Sequence, residues 1–325
     1  MSQIDAALKP RSLLLATDFS EPSEKALRYS LALARLFKSK FCLAHVVSSL
    51  GLTMGGAGAI AVAEEAALRD ISQLQSQLVR TGNLNDLQYK FIVQRGELWP
   101  ELRETIRAEN TDLLIVGTHA RHGIAKLFFG SAAEQIYRQA ACPVLTLGPR
   151  SDDRPWFESS IKQPTFLFAT DFGNASLHGL PQTIEAANQF GAKLALVSIV
   201  PTAREEVREI RQQDRRSRTL ERLSQLADTA GLELKPDLYV ESGAEWPVSD
   251  KILEVADKLG ADLIIMGLRE SAYIGVISHL DLTTTYDVIC RANSPVLTVN
   301  FSLEDELRSR LSEVTVSPLT EAEAG

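Results

Sequence analysis

Residues 13–23 read LLLATDFSEPS, and residues 166–176 read FLFATDFGNAS. Each stretch is an apolar run followed by Thr-Asp-Phe, with a serine five residues after the aspartate. A short, continuous apolar run that ends in polar turn residues is typical of a β-strand covered on both faces. Because Asp18 and Asp171 are 153 positions apart in otherwise matching surroundings, the chain is predicted to contain two copies of one fold.

Three later segments recur in the same order. GELWP at Gly96 returns as GAEWP at Gly243, TDLLIVGT at Thr111 as ADLIIMGL at Ala261, and CPVLTLG at Cys142 as SPVLTVN at Ser294. The spacings, 147 to 152 residues, are nearly constant, and their drift is what loops of different length produce. The matches therefore indicate a duplication that spans most of the chain.

Each copy alternates apolar strands with amphipathic helices, which predicts an α/β fold of two doubly wound, five-stranded parallel-sheet domains in tandem. The first helix is predicted to start at Ser20 and Pro22 and to bury Leu27, Leu31, Ala34 and Leu36. The predicted strands are 12–17, 40–48, 88–94, 112–117 and 144–148 in copy one, and 165–170, 193–200, 235–241, 262–267 and 296–300 in copy two.

The predicted boundaries are a first domain over residues 1–150, a polar, proline-bounded linker over 151–163, a second domain over 164–301 and an acidic tail over 302–325. A chain of 325 residues is longer than a single hydrophobic core usually supports, which also favours two domains.

Composition narrows the class of protein. With 45% hydrophobic residues and a net charge of −8, the chain is not expected to be disordered, nor to bind DNA or anionic membranes in bulk. Three cysteines without a CxxC pair are typical of a reducing compartment. No apolar stretch approaches the roughly 20 residues of a membrane span, and no leader is apparent. We expect a cytoplasmic location.

The loop over residues 117–131, GTHARHGIAKLFFGS, follows the predicted fourth strand and has two interpretations. Glycines at either end and a hydroxyl residue at the next helix start suit a phosphate bound at a helix N-terminus, with Arg121, His122 and Lys126 adding positive charge. Alternatively, Ser131 and Glu134 form a capping box that satisfies backbone N–H groups.

Asp18 also has two interpretations, because it stands at a strand end on the same edge of the sheet. It can accept a hydrogen bond from an adenine amino group or a ribose hydroxyl, or it can stabilise a turn.

Other motifs are weaker. GAGAIA from Gly56 matches a dinucleotide fingerprint but follows the second strand rather than the first, and we interpret it as a flexible loop. His119 and His122 have no accompanying carboxylate or cysteine cluster, so no metal site is predicted. No nucleophile or general base is apparent, and no catalytic residue is predicted.

Both copies resemble the universal stress protein (UspA-type) domain, and the resemblance covers about residues 12–301. It rests on the opening ATDFS, the fourth strand and the last strand, PVLTL. ATP-binding members of that family carry G-x2-G-x9-G-[ST] after strand four. Copy one has Gly117, Gly130 and Ser131 at three of the four positions and Ala120 at the other.

The resemblance implies a Rossmann-like fold of the adenine-nucleotide α-hydrolase type that binds ATP, with Mg²⁺ accompanying it. It implies Ala16, Asp18 and Val46 on the adenine side, and Gly117, Ala120, Gly130, Ser131 and Ala132 on the phosphate side. In copy two, Gly267 is followed at the other three motif positions by Glu270, Leu280 and Asp281, and the two carboxylates, those of Glu270 and Asp281, would repel phosphate. Copy two is therefore not expected to bind ATP.

Family members pair through their last strand. The two last strands of this chain are apolar, so we expect them to pair internally as a pseudo-dimer, with a homodimer also open. Three functions follow: a nucleotide-binding stress-response protein, a protein of the same family that acts through its surfaces without nucleotide, and, last, a slow hydrolase of ATP or a phosphoester.

Overall fold

The computed structural model describes residues 9–48, 56–118, 131–152, 154–158, 162–200, 208–229, 235–242, 247–269 and 282–301. In the N-terminal half the elements are β1 (Ser12–Ala16), α1 (Glu21–Phe37), β2 (Lys40–Ser48), α2 (Gly56–Arg80), β3 (Tyr89–Gly96), α3 (Leu98–Ala108), β4 (Leu113–Gly117), α4 (Ser131–Gln139) and β5 (Val144–Leu147).

A 3-10 turn (Trp156–Glu158) precedes the C-terminal half. Its elements are β6 (Thr165–Ala169), α5 (Asn174–His178), α6 (Leu180–Phe190), β7 (Lys193–Val200), α7 (Arg208–Thr229), β8 (Asp237–Ser242), α8 (Val248–Leu259), β9 (Leu263–Arg269), α9 (Leu282–Arg291) and β10 (Val296–Phe301). The counterpart of α1 is divided into α5 and α6 where Gly179 is followed by Leu180 and Pro181, because proline cannot extend a helix from within.

Within the described residues, the ten strands form one sheet in the order β3-β2-β1-β4-β5-β10-β9-β6-β7-β8. Each half is parallel and doubly wound, which confirms the predicted fold class. The halves meet where β5 and β10 pair antiparallel, with Leu145 opposite Leu297. A single hydrogen-bonded ladder thus continues from one copy into the other.

Two helical layers cover the sheet. Leu13 and Leu15 of β1 pack on the face of α1, α2, α6 and α7, and Leu14 packs on the face of α3, α4, α8 and α9. This division follows from the two-residue period of a strand. All three leucines are fully buried, and each stabilises the fold by roughly 1.5–3 kcal/mol.

The start of α1 agrees with the sequence: Ser20 is the N-cap residue and Pro22 lies in the first turn. The predicted buried face was wrong at Leu36, which is 50% exposed. Leu36 lies nine residues after Leu27, about half a turn away at roughly 100° per residue. Leu31 and Ala34 are buried as predicted.

The flexible loop predicted from Gly56 was also wrong, because α2 begins there. The residues that follow, GAGAIAVAEEAALRD, are rich in alanine, glutamate and leucine, which favour helix strongly enough to outweigh the early glycines. Of the helices in the described ranges, none is long and apolar enough to cross a membrane.

Candidate functional site

The carboxyl edge of the N-terminal half has a topological switch point between β1 and β4. Ala16 pairs with Ala44 of β2 on one side and with Val116 of β4 on the other. Val46 lies two residues beyond Ala44, and Gly117 directly follows Val116. Ligands of open parallel sheets bind at such a point. The structure therefore brings three predicted site residues, Ala16, Val46 and Gly117, to one edge.

A tight turn follows β1 and begins α1. The Asp18 Oδ1 atom accepts hydrogen bonds from the Ser20 N–H (3.0 Å), the Ser20 hydroxyl (2.5 Å) and the Ser23 hydroxyl (2.6 Å). Thr17 Oγ1 accepts from the Phe19 N–H at 3.0 Å. Phe19 has a φ of 60°, a left-handed conformation that is uncommon for a bulky residue. The polar side chains hold the backbone in this conformation.

The C-terminal half makes the same turn. Asp171 Oδ1 accepts from the Gly173 N–H and the Ser176 hydroxyl, both at 2.9 Å, and Phe172 also has a φ of 60°. The hydrogen bonds that the two copies share stabilise a turn that starts a helix. They agree with the interpretation in which Asp18 stabilises a turn. Asp18 is exposed, whereas Asp171 is half-buried. A nucleotide contact for Asp18 stays a prediction.

Two aromatic rings beside this turn were missed in the sequence. The Phe19 and His45 rings are 4.7 Å apart between centroids, and His45 Nδ1 lies 2.8 Å from the Thr17 carbonyl oxygen. In the C-terminal half, the Arg222 guanidinium lies 4.0 Å from the Phe172 ring centroid instead. The repeated Thr-Asp-Phe sequence could have indicated these rings. If both copies make the same turn, the phenylalanine of each copy must lie at the same position relative to that turn.

Gly117 has a packing role that needs no ligand. A Cβ at this position would overlap the Pro22 carbonyl group and lie 2.7 Å from the Ser23 backbone nitrogen. These atoms belong to the first turn of α1 and cannot rotate away. The end of β4 can approach α1 this closely only because residue 117 has no side chain.

The predicted phosphate side is only partly described. Ala120 and Gly130 lie outside the described residues. Ser131 and Ala132 are the first two residues of α4, but the description does not extend to their side chains. The capping box and the phosphate site both stay predictions. Glu270, Leu280 and Asp281 also lie outside the described residues, so the repulsion of phosphate by the Glu270 and Asp281 carboxylates stays a prediction as well.

The equivalent edge of the C-terminal half carries larger side chains. Ala169, Thr170 and Asp171 correspond to residues 16–18, and the register of β6 with β7 aligns Val197 with Ala44 and Ile199 with Val46. The cavity left between these residues and α8 has a volume of about 10 Å³. That is the space of one water molecule at most. Val197 is larger than its counterpart Ala44, and Ile199 is larger than its counterpart Val46.

The cysteines offer no reactive thiol. Burial raises the pKa of both Cys42 and Cys142 to about 12 and also raises the pKa of Cys290, so that each remains a neutral thiol near pH 7. No group of three or more His, Cys, Asp or Glu side chains in the described part of the chain is placed to hold a metal ion.

Comparisons with known proteins agree with this architecture. The sequence profile described as "Universal stress protein family" matches residues 10–147 and 164–300. The universal stress protein MJ0577 of Methanocaldococcus jannaschii is 25% identical over 156 residues, which cover 42% of this chain and 94% of that protein.

Solved structures share the fold over nearly the whole length. A universal stress protein from Archaeoglobus fulgidus has a TM-score of 0.65 at 18% identity, over 89% of this chain and 98% of its own. A functionally unknown protein from Pseudomonas aeruginosa has a TM-score of 0.58 at 20% identity, over 95% and 98%. Since the family profile matches each half and the structure repeats one fold twice, the chain belongs to the universal stress protein family, with two of its domains in tandem.

Proposed function

We propose that the N-terminal half binds an adenine nucleotide, ATP in the first place, at the switch point between β1 and β4, and that the C-terminal half does not. The bound state would alter the contacts that the protein makes with its partners in a stress response. The difference between the two equivalent edges carries this proposal: residues 44 and 46 are smaller than their counterparts, whose cavity has a volume of only about 10 Å³.

The adenine side would be formed by Ala16, Asp18 and Val46. Val46 is half-buried, whereas its counterpart Ile199 is buried against α8. A half-buried apolar side chain at a strand end offers a surface on which an aromatic base can lie. Asp18 is exposed beside it and offers carboxylate oxygens to an amino or hydroxyl donor.

The phosphate side would be formed by Gly117, Ala120, Gly130, Ser131 and Ala132. The loop between them leaves the sheet where β4 ends and returns at the first residue of α4. A helix N-terminus presents free N–H groups and a positive dipole end, which favour a phosphate. Mg²⁺ would enter with ATP, held by the phosphate oxygens.

The proposed role is binding rather than turnover, because the three described cysteine thiols are buried and neutral near pH 7 and the Asp18 carboxylate already accepts from the Ser20 and Ser23 hydroxyls. The alternative function, a family member that acts through its surfaces without nucleotide, is favoured by Ala120. Ala120 stands where the ATP-binding motif has its second glycine, and its methyl group would hinder the close approach of a phosphate.

The test starts by denaturing the purified protein and identifying any released nucleotide by mass spectrometry. The stripped protein is then titrated calorimetrically with ATP, AMP and cyclic AMP. We expect one ATP per chain. Gly130→Asp should weaken binding at least tenfold by charge repulsion, whereas Leu280→Asp, the matched change in the C-terminal half, should leave it unchanged. No heat at millimolar ATP would favour the surface-acting alternative.

A pair of matched variants separates the two roles of Asp18. Asp18→Ala and Asp171→Ala each remove a similar turn, so each should lower the free energy of unfolding by about 1 kcal/mol. Only Asp18→Ala should also weaken ATP binding. Equal ATP affinity in the two variants would leave Asp18 with the turn role alone.

A further inference from the structure

A groove on the outer face of the N-terminal half lies between α1 and α2 and is bordered by the segment that leads into the 3-10 turn. Its volume is about 450 Å³, within the roughly 300–1,000 Å³ of small-molecule sites. None of its lining residues belongs to the proposed nucleotide site. Whatever binds here therefore does so at a separate place on the protein.

The groove is apolar at its base and charged at its rim. Leucines from both helices form the base: Leu27, Leu31, Leu74 and Leu78. Exposed arginines and glutamates form the rim: Arg28, Arg35, Arg154, Glu24 and Glu158. Three guanidinium groups against two carboxylates give a local excess of positive charge on a chain whose net charge is −8. Such a rim favours an anionic group over a cationic one.

The guanidinium group of Arg35 is held in position, and so is the main chain of Arg154. Arg35 Nη2 donates to the backbone oxygen and to Oδ1 of Asn83, both at 2.8 Å, which leaves its Nε and Nη1 donors without a partner among the described residues. The Arg154 main chain is held by the Tyr29 hydroxyl, which donates to its carbonyl oxygen at 2.8 Å. Positioned guanidinium groups lose less entropy when they pair with a carboxylate or phosphate.

The spacing along α1 matches an elongated ligand. Arg28 and Arg35 are seven residues apart, so they lie on one side of the helix, roughly 10 Å from each other along its axis. Leu31 lies between them and is 5% exposed. A hydrocarbon segment lying on the leucines would thus place a charged end beside a guanidinium group.

We propose that this groove binds an anionic amphiphile, an alkyl carboxylate or alkyl phosphate. Its charged end pairs with the arginines at the rim and its hydrocarbon part covers the leucines at the base. A ligand in this position contacts α1, α2 and the segment between the two halves at once.

The test is calorimetric titration of the full chain with decyl phosphate and decanoate, each below its aggregation concentration. Both should bind saturably at one per chain, and the tighter of the two shows whether the rim prefers a phosphate or a carboxylate. Decanol, which lacks the charge, and inorganic phosphate, which lacks the hydrocarbon, should bind at least tenfold more weakly. The proposal would be overturned if decanol bound as tightly as decyl phosphate. It would also be overturned if neither decyl phosphate nor decanoate bound saturably.

Variants locate the site. Arg154→Gln and Arg28→Gln should each weaken decyl phosphate binding about tenfold or more, and Arg154→Lys by less, since it keeps the charge but loses the fork geometry. Arg69→Gln, an exposed α2 arginine that pairs with Glu65 outside the groove, is the matched control and should bind as the wild type does. Equal binding by all four variants would contradict this location. Gly130→Asp should also bind normally, which keeps this test independent of the nucleotide proposal.

Discussion

At Gly117 the end of β4 lies against the first turn of α1, and the contact is between main chains. In the sequence, this glycine counted as a motif position for phosphate. The structure adds a packing reason, because a Cβ would overlap the Pro22 carbonyl group. A motif residue can thus be needed by the fold whether or not a ligand binds.

We expect Gly117→Ala to lower the free energy of unfolding by about 1–3 kcal/mol, because backbone must move to admit the methyl group. Urea denaturation followed by circular dichroism measures this loss. Gly58→Ala in α2 is the control: its new Cβ would meet no atom within 4 Å, and removal of a helical glycine should stabilise by up to about 1 kcal/mol. A Gly117→Ala protein as stable as the wild type would contradict the described contact.

At the scale of elements, Glu109 connects three of them. It is the C-cap residue of α3, and its carboxylate accepts from Lys40 of β2 at 2.6 Å and from Lys90 of the edge strand β3 at 2.5 Å. Its side chain is 6% exposed. The hydrogen bonds from Lys40 and then Lys90 lower the pKa of Glu109, and the bond to Glu109 raises the pKa of Lys90. The carboxylate therefore stabilises the fold only while it is ionised.

The consequence is a pH dependence of defined sign. A carboxyl group whose pKa is lower in the folded protein contributes stability above its unfolded pKa, about 4.3, and loses it as the pH falls through the folded value. We expect Glu109→Gln to be less stable than the wild type by roughly 1–3 kcal/mol at pH 7. The difference should shrink as the pH falls below about 4.3. Urea unfolding of both proteins from pH 7 to pH 3 measures it, and a difference independent of pH would contradict the ion pairs.

Elements were the scale at which the sequence predicted most. All ten strands were predicted, with their ends within two residues of those observed. The errors were at Leu36 and Gly56. Leu36 was predicted to be buried because it is apolar, although its angle around the helix places it on the exposed side. At Gly56 the glycines suggested a loop, although the residues that follow strongly favour a helix.

At the scale of the molecule, the segment between the halves packs into an aromatic cluster. The Trp156 ring lies 4.7 Å from Phe190, 4.9 Å from Phe166 and 5.0 Å from Phe157, between ring centroids. Aromatic pairs at these distances stabilise beyond the area that they bury. Tyr29 and Phe37 of α1 extend the cluster, with ring centroids 6.0 Å from Phe157 and 5.9 Å from Phe190, respectively. The cluster and the β5–β10 ladder therefore both join the two halves.

We expect Trp156→Ala to lower the free energy of unfolding by roughly 2–4 kcal/mol, somewhat less than for a fully buried tryptophan. Trp156→Phe should lose less, because it keeps a ring in the cluster. Urea unfolding followed by circular dichroism should show one transition for the wild type, since the halves share their core. A Trp156→Ala protein of unchanged stability would mean that the cluster does not hold the halves together.

The sequence by itself determined the duplication and the alternation of strands and helices, and it predicted the edge of the sheet at which a ligand would bind. These are local properties, because periods of 2 and 3.6 residues decide which side of an element is buried. Only the tertiary structure decided that Pro22 contacts Gly117, that Trp156 lies in a shared aromatic cluster and that Val197 and Ile199 stand where Ala44 and Val46 stand in the first half. Those outcomes depend on which distant elements meet and in what register, and spacing along the chain does not contain that information.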